Sequence, residues 1–107
     1  MKRAVVRVPW EHGLHLRPAA RLVRLAARFR SRVILRLGRA TADVTSILSI
    51  VGLCALMGSP LEVEATGDDE DRVIAEIVQA FSDPADEKAV QDPATPDESE
   101  SNGPAGP

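Results

Sequence analysis

Of the two histidines in this 107-residue chain, His15 lies in the run Gly13-Leu14-His15-Leu16-Arg17-Pro18-Ala19-Ala20. An imidazole there can act as a nucleophile toward phosphorus, because three features useful to a phosphoryl group converge around it. The apolar spacing that follows predicts a helix beginning at this point, and a helix start offers backbone N–H groups and partial positive charge. Arg17 adds a charge-assisted donor able to bond two phosphate oxygens at once. Pro18 suits an early helical position, where its missing N–H costs little, and it restrains Arg17 before it. A positive field of this kind favours a neutral imidazole, whose ring nitrogen lone pair can attack. The magnitudes suit a carrier better than a trap. A helix end contributes about 0.3–1 kcal/mol and a charged hydrogen bond about 1.5–3 kcal/mol, enough to hold a phosphoryl group and still surrender it. The plainer alternative for His15 is a polar residue at a helix start. His12 and His15, three apart and with no third ligand nearby in sequence, are a weak metal signal, so neither a metal nor a catalytic role is assigned to His12.

The surrounding chain must supply the elements that hold this run. Val6, Val8 and Trp10 alternate with Arg7 and Pro9, the period of a strand with one buried face, and Pro9 marks an edge or a strand end. Ala19, Leu22, Val23, Ala26 and Phe29 form a helical apolar stripe, with Arg17, Arg21, Arg24 and Arg28 on the other face. Val33, Leu35 and Leu37 predict a second strand, turning at Gly38-Arg39 into a short third strand near residues 42–45. Ser46 is placed to cap a second helix, with Ile47, Ile50, Val51 and Cys54 along one side. Leu61, Val63 and Ala65 alternate with Glu62, Glu64 and Thr66 in the clearest strand signal of the chain. Gly67 and four acids then open a third helix, with Val73, Ile74, Ile77, Val78 and Phe81 as its stripe and the acids at the favourable end of its dipole. The order β-α-β-β-α-β-α predicts an α+β domain, three helices over one face of a mostly antiparallel sheet.

Composition bounds what such a domain does. Only 3% of residues are aromatic, so the core is aliphatic and stacking platforms for single-stranded nucleic acid are nearly excluded. The net charge of -3 hides a polarised layout: +10 over residues 1–40, -7 over 41–82 and -6 over 83–107. A basic half beside an acidic half fits a nucleic-acid face or a surface for acidic protein partners equally well. Cys54 is the one cysteine, which excludes an intrachain disulfide and points to a reducing compartment. The N-terminus lacks a signal-peptide core, and the most apolar stretch, 47–57, is too short to span a bilayer, so a cytoplasmic protein without membrane attachment is expected. Residues 83–107 hold five of the eight prolines and seven acids. The expected organisation is a folded unit over 1–82 and a disordered acidic tail over 83–107.

Three segments resemble the HPr family, the histidine phosphocarriers of the bacterial phosphotransferase system. They are Gly13 to Ala19, Thr45 to Leu53, and Gly58 to Val63 running on to Gly67-Asp68-Asp69-Glu70, in register over residues 1–82. The resemblance implies an open-faced β-sandwich with three helices over a four-stranded antiparallel sheet. It implies that His15 accepts a phosphoryl group on Nδ1 from enzyme I and passes it to a IIA domain or a regulator, with Arg17 in support. The protein would process no substrate on its own and require neither cofactor nor metal. It further implies a partner surface of Arg21, Arg24, Ile47, Leu48 and Val51 beside Arg17, on a monomer. Ser46 matches the family's regulatory serine, the target of an HPr kinase/phosphatase in some bacteria; an ordinary N-cap serine is the alternative. Thr45 stands where many members have Lys, and Ser49 where many have Gly. A nitrogen-related regulatory phosphocarrier is the rival within this class. A small α+β binding module that is never phosphorylated is the rival outside it.

Overall fold

The computed structural model describes residues 1–82; the expected tail, residues 83–107, lies outside the described residues. Seven elements follow one another: β1 (Lys2–Arg7), α1 (Leu16–Ala26), β2 (Arg32–Leu37), β3 (Ala40–Asp43), α2 (Ile47–Gly52), β4 (Pro60–Thr66) and α3 (Glu70–Phe81). The strands form one antiparallel sheet in the order β1-β4-β2-β3. This is the expected three-helix, four-stranded α+β architecture. Because β4 reaches the sheet last yet lies in its interior, the two halves of the chain interlock.

The alternation in β4 sets the two faces of the sheet. Leu61, Val63 and Ala65 are fully buried beneath the helices, together with Val33 and Leu35 of β2. Glu62 and Glu64 point the other way, where β1 and β2 answer them with arginines. Arg36 donates to Glu64 at 2.6 Å, and its Nε lies 3.6 Å from Glu62, while Arg3 sits 3.9 Å from both carboxylates. The uncovered face is therefore a charged lattice, with cross-strand pairs of opposite sign.

Two expected boundaries move. β1 ends at Arg7, so Val8 and Trp10 lie past the strand, yet both are buried. Val8 prolongs the alternation through two bonds to the segment before β4: its N–H donates to Ser59 O at 3.0 Å and its carbonyl accepts from Gly58 at 2.8 Å. Pro9, with no N–H to give, stops the ladder there. β3 spans 40–43 instead of 42–45, because Asp43 turns the chain. Its Oδ1 accepts from the backbone and hydroxyl of Thr45, at 3.1 and 3.0 Å.

The expected stripe of α1 is largely correct, with Ala19, Leu22 and Ala26 buried, but Leu25 is buried as well and Val23 only half-buried. Phe29 falls beyond the helix and is half-buried. Cys54 is a correction. It lies two residues past the end of α2, exposed, with φ +56, and is no part of the core. A six-residue helix ends before the periodicity of its sequence does.

Candidate phosphoryl site

His15 is the N-cap of α1, with extended backbone (φ −96, ψ −166) and no capping bond from its own side chain. Its carbonyl accepts the first intrahelical bond, from Ala19 at 3.0 Å. Pro18 has no N–H, and the N–H groups of Leu16 and Arg17 precede that first bond, so the helix presents its positive end beside the imidazole. The residue is half-buried, and its Nε2 atom is shielded from solvent. Arg17 is exposed two residues on.

What aims His15 is the loop before it. Trp10, completely buried and packed on Phe81 with ring centroids 5.1 Å apart, accepts a bond from Gly13 N at 2.9 Å. Gly13 takes φ +74, and Leu14 N donates to Ala55 O at 3.0 Å. The histidine loop is thus pinned on one side to the core and on the other to the segment after α2. His12 is exposed, and its ring meets that of His15 edge-on, with centroids 5.9 Å apart.

Ser46 caps α2 as expected. Its hydroxyl accepts from Ser49 N at 3.2 Å, and its own N–H donates to Asp43 O at 3.1 Å. Leu48 is 79% exposed, while Ile47 and Val51 are half-buried against the core, so the expected apolar surface of α2 is mainly Leu48. Arg24 is exposed and Arg21 half-buried on α1, which packs against α2 and α3. Three exposed apolar side chains near the loop were not anticipated: Leu16, Leu56 and Met57. Leu56 comes close enough that its Cα would lie 3.4 Å from a Cβ at position 13. Their signal in the sequence was slight. Leu16 stands alone between His15 and Arg17, and Leu56-Met57 follows no helical or strand period.

Among the described residues no group of three or more His, Cys, Asp or Glu could hold a metal ion, and no helix is long and apolar enough to cross a membrane.

The PTS-HPr family model, described as the PTS HPr component phosphorylation site, matches residues 2–83. The chain belongs to the HPr family. Among HPr-family relatives, phosphocarrier protein NPr of Escherichia coli K12 is 36% identical over 76 residues, covering 70% of this chain and 84% of the relative. Phosphocarrier protein HPr of Treponema pallidum is 34% identical over 83 residues, covering 78% and 94%. The crystal structure of HPr from Bacillus anthracis superposes with a TM-score of 0.71 at 26% identity, over 75% of this chain and 95% of that one. The chain is thus a phosphocarrier of the phosphotransferase system, in a family of phosphotransfer relay proteins.

Proposed function

We propose that His15 carries the phosphoryl group, received from phosphorylated enzyme I and handed to a IIA domain or a regulator. One observation supports this above the others: the imidazole at the N-cap of α1 is aimed by a pinned loop, with Arg17 two residues away. The family resemblance makes Nδ1 the nitrogen that reacts, and the shielding of Nε2 from solvent accords with this. The donor's P–N bond breaks as the bond from His15 Nδ1 to phosphorus forms, and the reverse exchange delivers the group onward. The N–H groups of the first turn and the Arg17 guanidinium meet the charge on the phosphoryl oxygens. The protein relays the group without transforming a substrate, and its compartment is the cytoplasm.

Partners dock on the face where Arg17, Arg21 and Arg24 flank Leu48, Ile47 and Val51. Leu16, Leu56 and Met57 extend its apolar part toward His15. An apolar centre with a positive rim fits a transient interface with an acidic partner. Ser46, which holds the start of α2 at this surface, is the candidate regulatory site for an HPr kinase/phosphatase, where a phosphate would add about two negative charges. The similarity to NPr favours a second reading, in which the acceptor is a regulator instead of a sugar transporter.

Incubation with phosphoenolpyruvate and enzyme I tests the proposal. An acid-labile, base-stable phosphate that disappears in His15→Ala supports it; a folded protein that takes up none overturns it.

A further inference from the structure

We propose that the acidic segment 83–107 is an intramolecular ligand of the arginine face of α1, screening the basic surface beside His15 from acidic partners. The screening role rests on the phosphocarrier reading, whereas the contact itself does not.

The fold brings the two together. α1 and α3 lie side by side, and between them runs a groove of about 450 Å³ lined by Arg21, Leu25, Glu76, Gln79, Ala80 and Ser82. Ser82 is the C-cap of α3, so residues 83–107 begin in the wall of a groove whose other wall carries Arg21. Arg17 precedes Arg21 by four residues, about 6 Å along the helix. The groove's acid, Glu76, is faced by Arg28 at 3.9 Å.

Charge supplies the attraction. Residues 12–31 hold five arginines and no acid, and residues 83–107 hold seven acids against Lys88. At about 3.3 Å per residue at full extension, twenty-five residues are long enough to reach along the whole ~16 Å length of α1. A segment tethered this closely acts at an effective concentration in the millimolar range. It therefore competes with a freely diffusing acidic partner for the same arginines, and salt weakens it.

The test compares the full chain with a full-length variant in which all seven acids of 83–107 become Asn or Gln. Amide spectra are recorded at about 20 mM and about 500 mM salt, with unchanged sheet resonances checking the fold. At low salt the two proteins are expected to differ at residues 17–28, and at high salt to coincide. Identical α1 resonances at low salt overturn the contact, as do differences that persist in high salt or fall on the open sheet face. The initial rate of transfer from phosphorylated enzyme I is expected to rise about three- to tenfold in the neutral variant at low salt only. An unchanged rate overturns the screening role. Should neither protein be phosphorylated, the phosphocarrier reading fails while the spectra still decide the contact.

Discussion

A Cβ at Gly13 would lie 2.5 Å from the carbonyl oxygen of Ala55. The backbone after α2 therefore occupies the space a side chain would need in the histidine loop, and the φ of +74 at Gly13 disfavours any other residue as well. Gly13→Ala is expected to lose about 1–3 kcal/mol of stability and to displace His15. Urea unfolding measures the first effect and the rate of phosphoryl uptake the second. Uptake is expected to fall further than the unfolded fraction explains.

Arg17→Ala removes an exposed side chain, so stability should change by no more than about 0.5 kcal/mol. Transfer from enzyme I should slow by about tenfold or more, as a lost charged hydrogen bond of about 1.5–3 kcal/mol dictates. Arg17→Lys should recover part of the rate, since it restores the charge without the fork. A variant whose melting temperature falls in proportion to its rate would argue against the assigned role.

Ser46→Ala deletes the bond from Ser49 N and should cost about 1 kcal/mol, read by thermal unfolding. Ser46→Asp can still cap α2 and should keep the stability, while its charge beside the partner surface slows transfer. Opposite effects of the two variants on stability and rate are the signature of a cap that doubles as a regulatory site.

Leu48→Ser should leave the fold unchanged, because Leu48 is 79% exposed, and should weaken association with enzyme I. A titration followed by heteronuclear NMR would show a raised dissociation constant with the transfer rate at saturation preserved.

Acid should loosen the junction between α1, β2 and α3. Asp69 accepts bonds from Ser31 Oγ at 2.6 Å, Arg30 N at 2.9 Å and Ser31 N at 3.0 Å, and the Ser31 hydroxyl foremost holds its carboxyl below the ordinary value of 3.8. Glu64 beside Arg36, and Glu70 bonded to the N-terminal ammonium, lie below 4.5 for the same kind of reason. A lowered carboxylate contributes stability above its unfolded value and loses it as pH falls through the folded one. The protein is therefore expected to hold its stability down to the ordinary carboxylate range and lose it below. In Asp69→Asn the neutral-pH stability should drop and the acid limb flatten, as pH-dependent urea midpoints would show.

Strands and helices were legible where apolar residues follow one period: β4 alternates apolar with polar residues, although Glu64 is buried too, α3 carries an apolar stripe, and Ser46 announces its helix by capping chemistry. The position of His15 at the mouth of α1 was equally legible, because His15, Arg17 and Pro18 are local to one another. Contacts between distant segments left no such trace. Nothing in Ala55 signals that its carbonyl closes on Gly13 and Leu14, and nothing in Asp69 signals a partner 38 residues earlier. The same gap explains Cys54, whose place on the helical stripe of the sequence is cancelled by the turn after Gly52. Exposure was misjudged for one reason throughout. A side chain's period says which way it points, whereas its accessibility depends on what another part of the chain brings against it.

The tryptophan that anchors the histidine loop is the only one in the chain. Its indole is sealed from water against the last turn of α3, and its carbonyl is bonded two residues before His15. The protein thus contains a built-in fluorophore at the junction of its core and its histidine loop. Emission near the wavelength of a dry indole would certify an intact fold in any variant. A change in its intensity as phosphate arrives would time the relay without an added dye.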